Sequence, residues 1–172
     1  MSFSVYDVSV PGFINHLRAL SRILDKAKLY ADDKKVDMGV LFQTRLFPDQ
    51  FPLSKQIQIA CDNAKYFVSR LTAIEAPKYP DTEVTFDEFQ LRIKSVIHFL
   101  ESVQPDAFDG WESRTVTFGW NPNHYLEAPA YVIQYAIPNV VFHYVTAYSI
   151  LRSCGVEIGK ADFMGKVDWK QI

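Results

Sequence analysis

Cysteine is nearly absent: two residues, Cys61 and Cys154, in 172. They lie far apart and neither belongs to a C-x-x-C pair. Both read as free thiols in a reducing cytoplasm, not as parts of a disulfide framework. A basic stripe is also missing. Lys and Arg number 18 against 20 Asp and Glu, the net charge is −2, and the cations are scattered. Nothing is laid out to track a phosphate backbone, so nucleic acid is not an expected partner. The opening "MSFSVYDVSVPG" has no basic stretch followed by an apolar one, so no signal peptide is expected. Repeats, low-complexity tracts and linkers are absent, which predicts a single domain over 1–172. No P-loop, dinucleotide fingerprint or Ser-His-Asp order occurs.

One long stretch, residues 128–151, lacks Asp, Glu, Lys and Arg altogether. It is long enough for a membrane span. Pro129, Gln134, Pro138, Asn139, His143, Thr146 and Ser149 interrupt it, however, and no positive cluster flanks it. A helix apolar all round is expected instead as the buried central helix of a soluble bundle, with no membrane as partner.

What the chain does have is aromatic residues, with 13 Phe, 9 Tyr and 3 Trp, and helical periodicity. Pro11 to Asp32 carries Phe13, Leu17, Leu20, Leu24, Ala27 and Ala31 in steps of three and four, one apolar stripe. Pro52 to Ala73 repeats the pattern with Ile57, Ala60, Ala64, Phe67 and Leu71. In "TFDE", Thr85 and Glu88 have the spacing of a capping box. The stripe that follows is Phe86, Phe89, Ile93, Val96, Leu100 and Val103. Leu126 to Ser153 carries two stripes, and Gly155 is its natural stop. These segments predict an all-α four-helix bundle. The long connection before the last helix contains "RTVTF", which alternates as a short strand or hairpin does. A short helical turn is expected near "VDMGVLFQ", and a tail packed through Phe163 or Trp169.

Pro138 has no N–H, so the carbonyl of Gln134 is expected to lose its partner and the helix to kink. Tyr131, Tyr135, Asn139 and His143 follow at steps of four. On a helix otherwise apolar, such a polar line predicts a shared cavity. The plainer reading is a set of hydrogen-bonded core residues.

"FPLSKQIQIACDNAKYFVSRL" and "AIPNVVFHYVTAYSILRSCGVEIGKADFMG" resemble a bacterial family known only as a domain of unknown function. That family is grouped with the DinB/YfiT-like metalloenzyme superfamily. The resemblance covers nearly the whole chain and implies a DinB-like four-helix bundle, commonly a homodimer. It also implies a divalent metal held by three histidines, zinc or nickel, and in some relatives a thiol-dependent transfer or isomerisation. Carried onto this sequence, the H-x-x-x-H pair of the last helix keeps its second member at His143 and has Asn139 for its first. The remaining histidine position falls around Ile59 or Ala60. Gln56, Asp62 and Asp49 are the nearby groups that could substitute. One imidazole is too few for a firmly held metal, because a catalytic site normally uses about three protein ligands.

The other titratable residues have plain readings. His98 is a boundary residue, His124 a solvated loop histidine and His16 a helix-flank residue. Cys61 is a small buried hydrophobe, and Cys154 sits where a helix dipole disfavours thiolate. Arg45 and Asp49 are expected to lock their loop by an ion pair. The expected function is small-molecule binding without a firmly held metal, with His143 the principal hydrogen-bonding or acid/base group and Asn139, Tyr135 and Tyr131 beside it. The alternatives are a metal-dependent transferase acting on a small thiol and a structural or dimerisation module.

Overall fold

The computed structural model describes residues 4–171. Four long helices form the body: α1 (Val10–Lys34), α3 (Leu53–Leu71), α4 (Phe86–Ser102) and α6 (Ile137–Ser153). Short helices α2 (Met38–Gln43) and α7 (Lys160–Met164) lie in the first connection and the tail. Two 3-10 turns, Pro105–Phe108 and Trp111–Ser113, lead into the strands β1 (Thr115–Phe118) and β2 (Asn121–Glu127).

The apolar stripes are the cause of this arrangement. Phe13, Leu17, Leu20, Leu24, Ala27 and Ala31 are all buried on α1, as are Ile57, Ala60, Ala64, Phe67 and Leu71 on α3. Each large side chain sealed this way contributes roughly 1.5–3 kcal/mol against exposure. Phe13 meets Phe67 edge-on at 5.2 Å, and Phe42 of α2 packs against Phe89 at 4.4 Å. Thr85 and Glu88 form the capping box: the Glu88 backbone N–H donates to Thr85 Oγ1, and the Thr85 backbone N–H donates to Glu88 Oε2.

Around the bundle α1 packs on α4, α4 on α3, α3 on α6 and α6 on α1. Consecutive long helices α1 and α3 are therefore diagonal, and so are α4 and α6. The first diagonal is crossed through α2 and the second through the hairpin, which is why both connections are long. The hairpin pairs Thr115 with Glu127 and Thr117 with Tyr125, antiparallel. Val116 and Phe118 point inward, as the alternation in "RTVTF" predicts.

Two expectations need correction. The last helix does not begin at Leu126, which belongs to β2; one turn, α5 (Ala128–Ala130), begins it. Nor is it buried all round: Phe142 is 54% and Val145 39% exposed. A four-membered ring gives each helix two flanking neighbours and leaves its outer face open. Before Pro138 the helix also changes form. Tyr131–Ala136 is a π-helix, and the Ile137 N–H donates to the Val132 carbonyl five residues back. The missing proline donor is met at the junction where this wider turn passes into α6. The tail packs through Phe163, one of the two residues expected, stacked on Tyr144 at 4.6 Å, while Trp169 is exposed.

After α6, Gly155 takes a left-handed φ of 95°, and the Val156 N–H donates to the Leu151 carbonyl. The Tyr30 hydroxyl donates to the Cys154 carbonyl at 2.8 Å, tying this helix end to α1. Asn15 holds the tail through the Met164 carbonyl and the Lys166 N–H.

Candidate functional site

The seam between α3 and α6 carries the polar residues that the sequence picks out. It runs antiparallel, since Gln56 meets His143 at one end and Arg70 meets Tyr131 at the other. Fourteen residues of α3 separate these contacts, which at 1.5 Å per residue is about 20 Å. Two polar places therefore exist where the sequence suggests one.

At the first, His143 is 9% exposed and its Nδ1 lies 2.7 Å from Gln56 Oε1. Gln56 is 1% exposed, and its Nε2 donates to the Phe51 carbonyl at 2.9 Å. With its amide N–H committed there, Gln56 offers oxygen to the imidazole, so His143 Nδ1 carries the proton. His143 Nε2 then holds a lone pair. It has no protein partner among the described residues and is not one of the sealed unpartnered atoms, so it touches solvent. Burial pushes the imidazole down to about 4, and the ring is neutral at pH 7. Phe142 meets the ring edge-on at 5.2 Å. Asn139 lies one turn before His143 and is half-buried.

At the second place, Tyr131 is buried and Tyr135 half-buried. Their rings stack 5.9 Å apart, and both pack on Phe118. Arg70 Nη1 donates to the Tyr131 hydroxyl at 3.3 Å. These tyrosines meet Arg70 and Phe118, whereas His143 meets Gln56.

The remaining candidates lie elsewhere. Asp62 accepts from Arg92 at 2.7 Å and pairs with Lys65 at 3.0 Å. Asp49 is exposed on the loop before α3. Arg45 makes no ion pair with Asp49 among the described residues; it reaches the Pro48 carbonyl at 3.5 Å. The residue of α3 that faces His143 is Gln56, three or four positions before Ile59 and Ala60. Five surface hollows of 190–570 Å³ among the described residues are lined without His143.

A divalent metal does not fit these residues. Among those described, no group of three or more His, Cys, Asp or Glu is placed to hold one. His143 supplies one imidazole, the Gln56 oxygen is taken by its Nδ1, and Asn139 offers only an amide, a weak donor for zinc or nickel.

Sequence reading missed a buried charge cluster between α3 and α4. Arg92, 2% exposed, donates to Asp62, Asp81 and Glu83 at 2.6–2.8 Å. Lys65, 1% exposed, donates to the Pro77 carbonyl at 2.7 Å. Both cations lie over the Tyr79 ring. Desolvation opposes the charge on Arg92, yet its carboxylate partners win and hold its pKa above the usual value. The cluster pins the irregular segment 72–85 to the bundle. Its signal was available: Arg92 and Lys65 fall on the apolar stripes of their helices. Cys61, beside them and fully buried, has its thiol pushed up to about 12 by desolvation.

His98 is exposed. His124, also exposed, lies on β2 with its Nδ1 2.7 Å from Asn121 Oδ1. His16 packs on Tyr144 at 5.0 Å with its Nδ1 sealed and unpartnered, and burial lowers its pKa. No helix among the described residues is long and apolar enough to cross a membrane.

Residues 5–164 match the family described as "Domain of unknown function (DUF1993)". The crystal structure of a DinB family member protein from Shewanella denitrificans is similar at a TM-score of 0.92 and 43% sequence identity. The match covers 97% of this chain and 95% of that one. No curated protein matches. A helical bundle with a hairpin before its last long helix, matched almost end to end by that relative, places this chain in the DUF1993 family with a DinB-like fold.

Proposed function

We propose that this protein binds a small molecule beside α6, at the open nitrogen of His143, without a firmly held metal. The observation that carries this reading is the hydrogen bond from His143 Nδ1–H to Gln56. It fixes the tautomer and turns an unprotonated Nε2 outward, where the nitrogen can accept a hydrogen bond from a hydroxyl, amide or thiol. Asn139, one turn away, supplies a second donor or acceptor, and the exposed Phe142 an apolar contact. A neutral imidazole with two oriented nitrogens is also suited to proton transfer. Two free thiols suit a reducing, cytoplasmic setting.

The test is a thermal-shift and NMR screen of small alcohols, amides and thiols. Ligands that prefer the folded state raise its melting temperature. A hit that perturbs the His143 imidazole, and is lost in His143→Gln with the fold retained, supports the reading. Hits that leave His143 unperturbed, or survive that substitution, refute it.

A second reading, a homodimer, is favoured by the exposed Pro138, Phe142 and Val145 on the outer face of α6. Light scattering after chromatography tests it: a monomer at high protein concentration removes it.

A further inference from the structure

Among the described residues the two buried cations, Arg92 and Lys65, are paired with carboxylates, and the half-buried Arg70 is not. Arg92 has three carboxylates and Lys65 one. Arg70 has none among the described residues. Its guanidinium is held by rings instead, 4.7 Å from the centre of Phe118, 5.4 Å from Tyr66 and 5.6 Å from Tyr131. Its one acceptor among the described residues is the Tyr131 hydroxyl. A guanidinium carries five N–H donors in one plane. Three rings crowd it, and it keeps unused donors that are not among the sealed unpartnered atoms.

A plain role as a cap for α3 does not account for this. Arg70 lies in the last turn, where a cation is favourable. Yet Arg114 already reaches that end, donating from Nη1 to the Thr72 carbonyl at 3.0 Å, and the Arg70 head is turned toward α6 and the hairpin. The π-helical form of Tyr131–Ala136 lies against this spot and stacks Tyr135 on Tyr131 at 23° between ring planes. Such segments recur at functional sites. On the hairpin, Trp120 leans on Phe118 at 5.3 Å and is 71% exposed. An exposed indole and a half-buried phenol thus share the Phe118 ring with a guanidinium that has no carboxylate partner among the described residues.

We infer that Arg70 is the anchor of a second ligand site, which takes the carboxylate of a small organic acid edge-on and its flat apolar body against Tyr135 and Trp120. The fork geometry of arginine matches a carboxylate through two parallel hydrogen bonds. The rings around the guanidinium keep water from part of the pair, which strengthens it. The site lies about 20 Å along the seam from His143 and does not depend on the function proposed there.

Sodium benzoate is the probe and benzyl alcohol its neutral control, with side-chain NMR signals of the whole protein as the readout. Benzoate is expected to shift the Arg70 guanidinium and Trp120 indole signals saturably, with a Kd on the order of 1 mM. Benzyl alcohol leaves the Arg70 signal in place. Arg70→Gln weakens benzoate binding at least about tenfold. Trp120→Ala, at an exposed position that carries little of the fold, weakens it several-fold. His143→Gln leaves it unchanged, which separates this site from the other. No saturable shift, equal binding of benzyl alcohol, or undiminished binding in Trp120→Ala overturns the inference.

Discussion

The state of His143 has a consequence for stability that can be measured without knowing any ligand. Its imidazole titrates at about 4 in the folded protein and near 6.5 in an unfolded chain. A base whose folded pKa is depressed binds more protons when unfolded, so stability rises with pH across that interval. The contribution is fully present above about pH 6.5 and is lost as the pH falls toward 4. Between pH 7.5 and 4.5, linkage with these two values gives about 2.5 kcal/mol. The ring retains some contact with water, which brings the expected figure toward about 2 kcal/mol. His16 adds a change of the same sign, and the carboxylates add their own at lower pH, so wild type alone does not isolate the effect. His143→Gln does. Urea unfolding of both proteins at intervals over this range should show wild type losing about 2 kcal/mol more than the variant. Parallel pH dependences would mean that the imidazole is not desolvated as its burial implies.

Removing Arg92 leaves Asp62, Asp81 and Glu83 without their shared partner. Arg92→Met is expected to cost about 3–5 kcal/mol in denaturant unfolding and to raise hydrogen exchange in 72–85; a loss below about 1 kcal/mol contradicts the pinning role. Dialysis against excess zinc or nickel, then chelating resin, should leave protein with well under one metal per chain. Stoichiometric retention shows that the donor set was misjudged. Cys61 should resist a thiol reagent at pH 8 while Cys154, half-buried at the end of α6, reacts first. Equal rates refute the sealing of Cys61. Thr85→Ala should cost about 1 kcal/mol through the lost cap, read as a lower denaturant midpoint.

The bundle was legible because each long helix buries one side. Periodicity reports that side directly, and the capping box and Gly155 mark two of the ends. The pairing of the helices was not legible, because a stripe shows that a helix has a neighbour and not which one. The exposure of Phe142 and Val145 was hidden for the same reason: a sequence with apolar residues on both faces does not say which face is covered. Gln56 could be named as a candidate but not matched to His143, since their contact spans 87 positions of chain. Arg92 and Lys65 were passed over although their spacing gave them away. A cation on an apolar stripe is a buried charge or a misplaced helix, and three carboxylates nearby decide for the first.

The polar line on the last helix failed as a single site for a geometric reason. Along an α-helix, four residues turn about 400°, so each step of four drifts by about 40°. Tyr131, Asn139 and His143 would spiral slowly yet stay near one another only if the partner helix followed. The partner, α3, is antiparallel, and it offers Arg70 at one end of the line and Gln56 at the other. The π-helical segment divides the line further, because its wider turn sets Tyr131 over Tyr135 before α-helical form resumes. The tyrosines go to the arginine and the imidazole to the amide. For this reason a ligand effect at His143 should leave the tyrosine signals near Arg70 in place. Substitutions at the two ends should add in stability, as groups without shared partners do. A double variant, His143→Gln with Arg70→Gln, whose destabilisation departs from the sum by more than about 0.5 kcal/mol would show that the two places communicate.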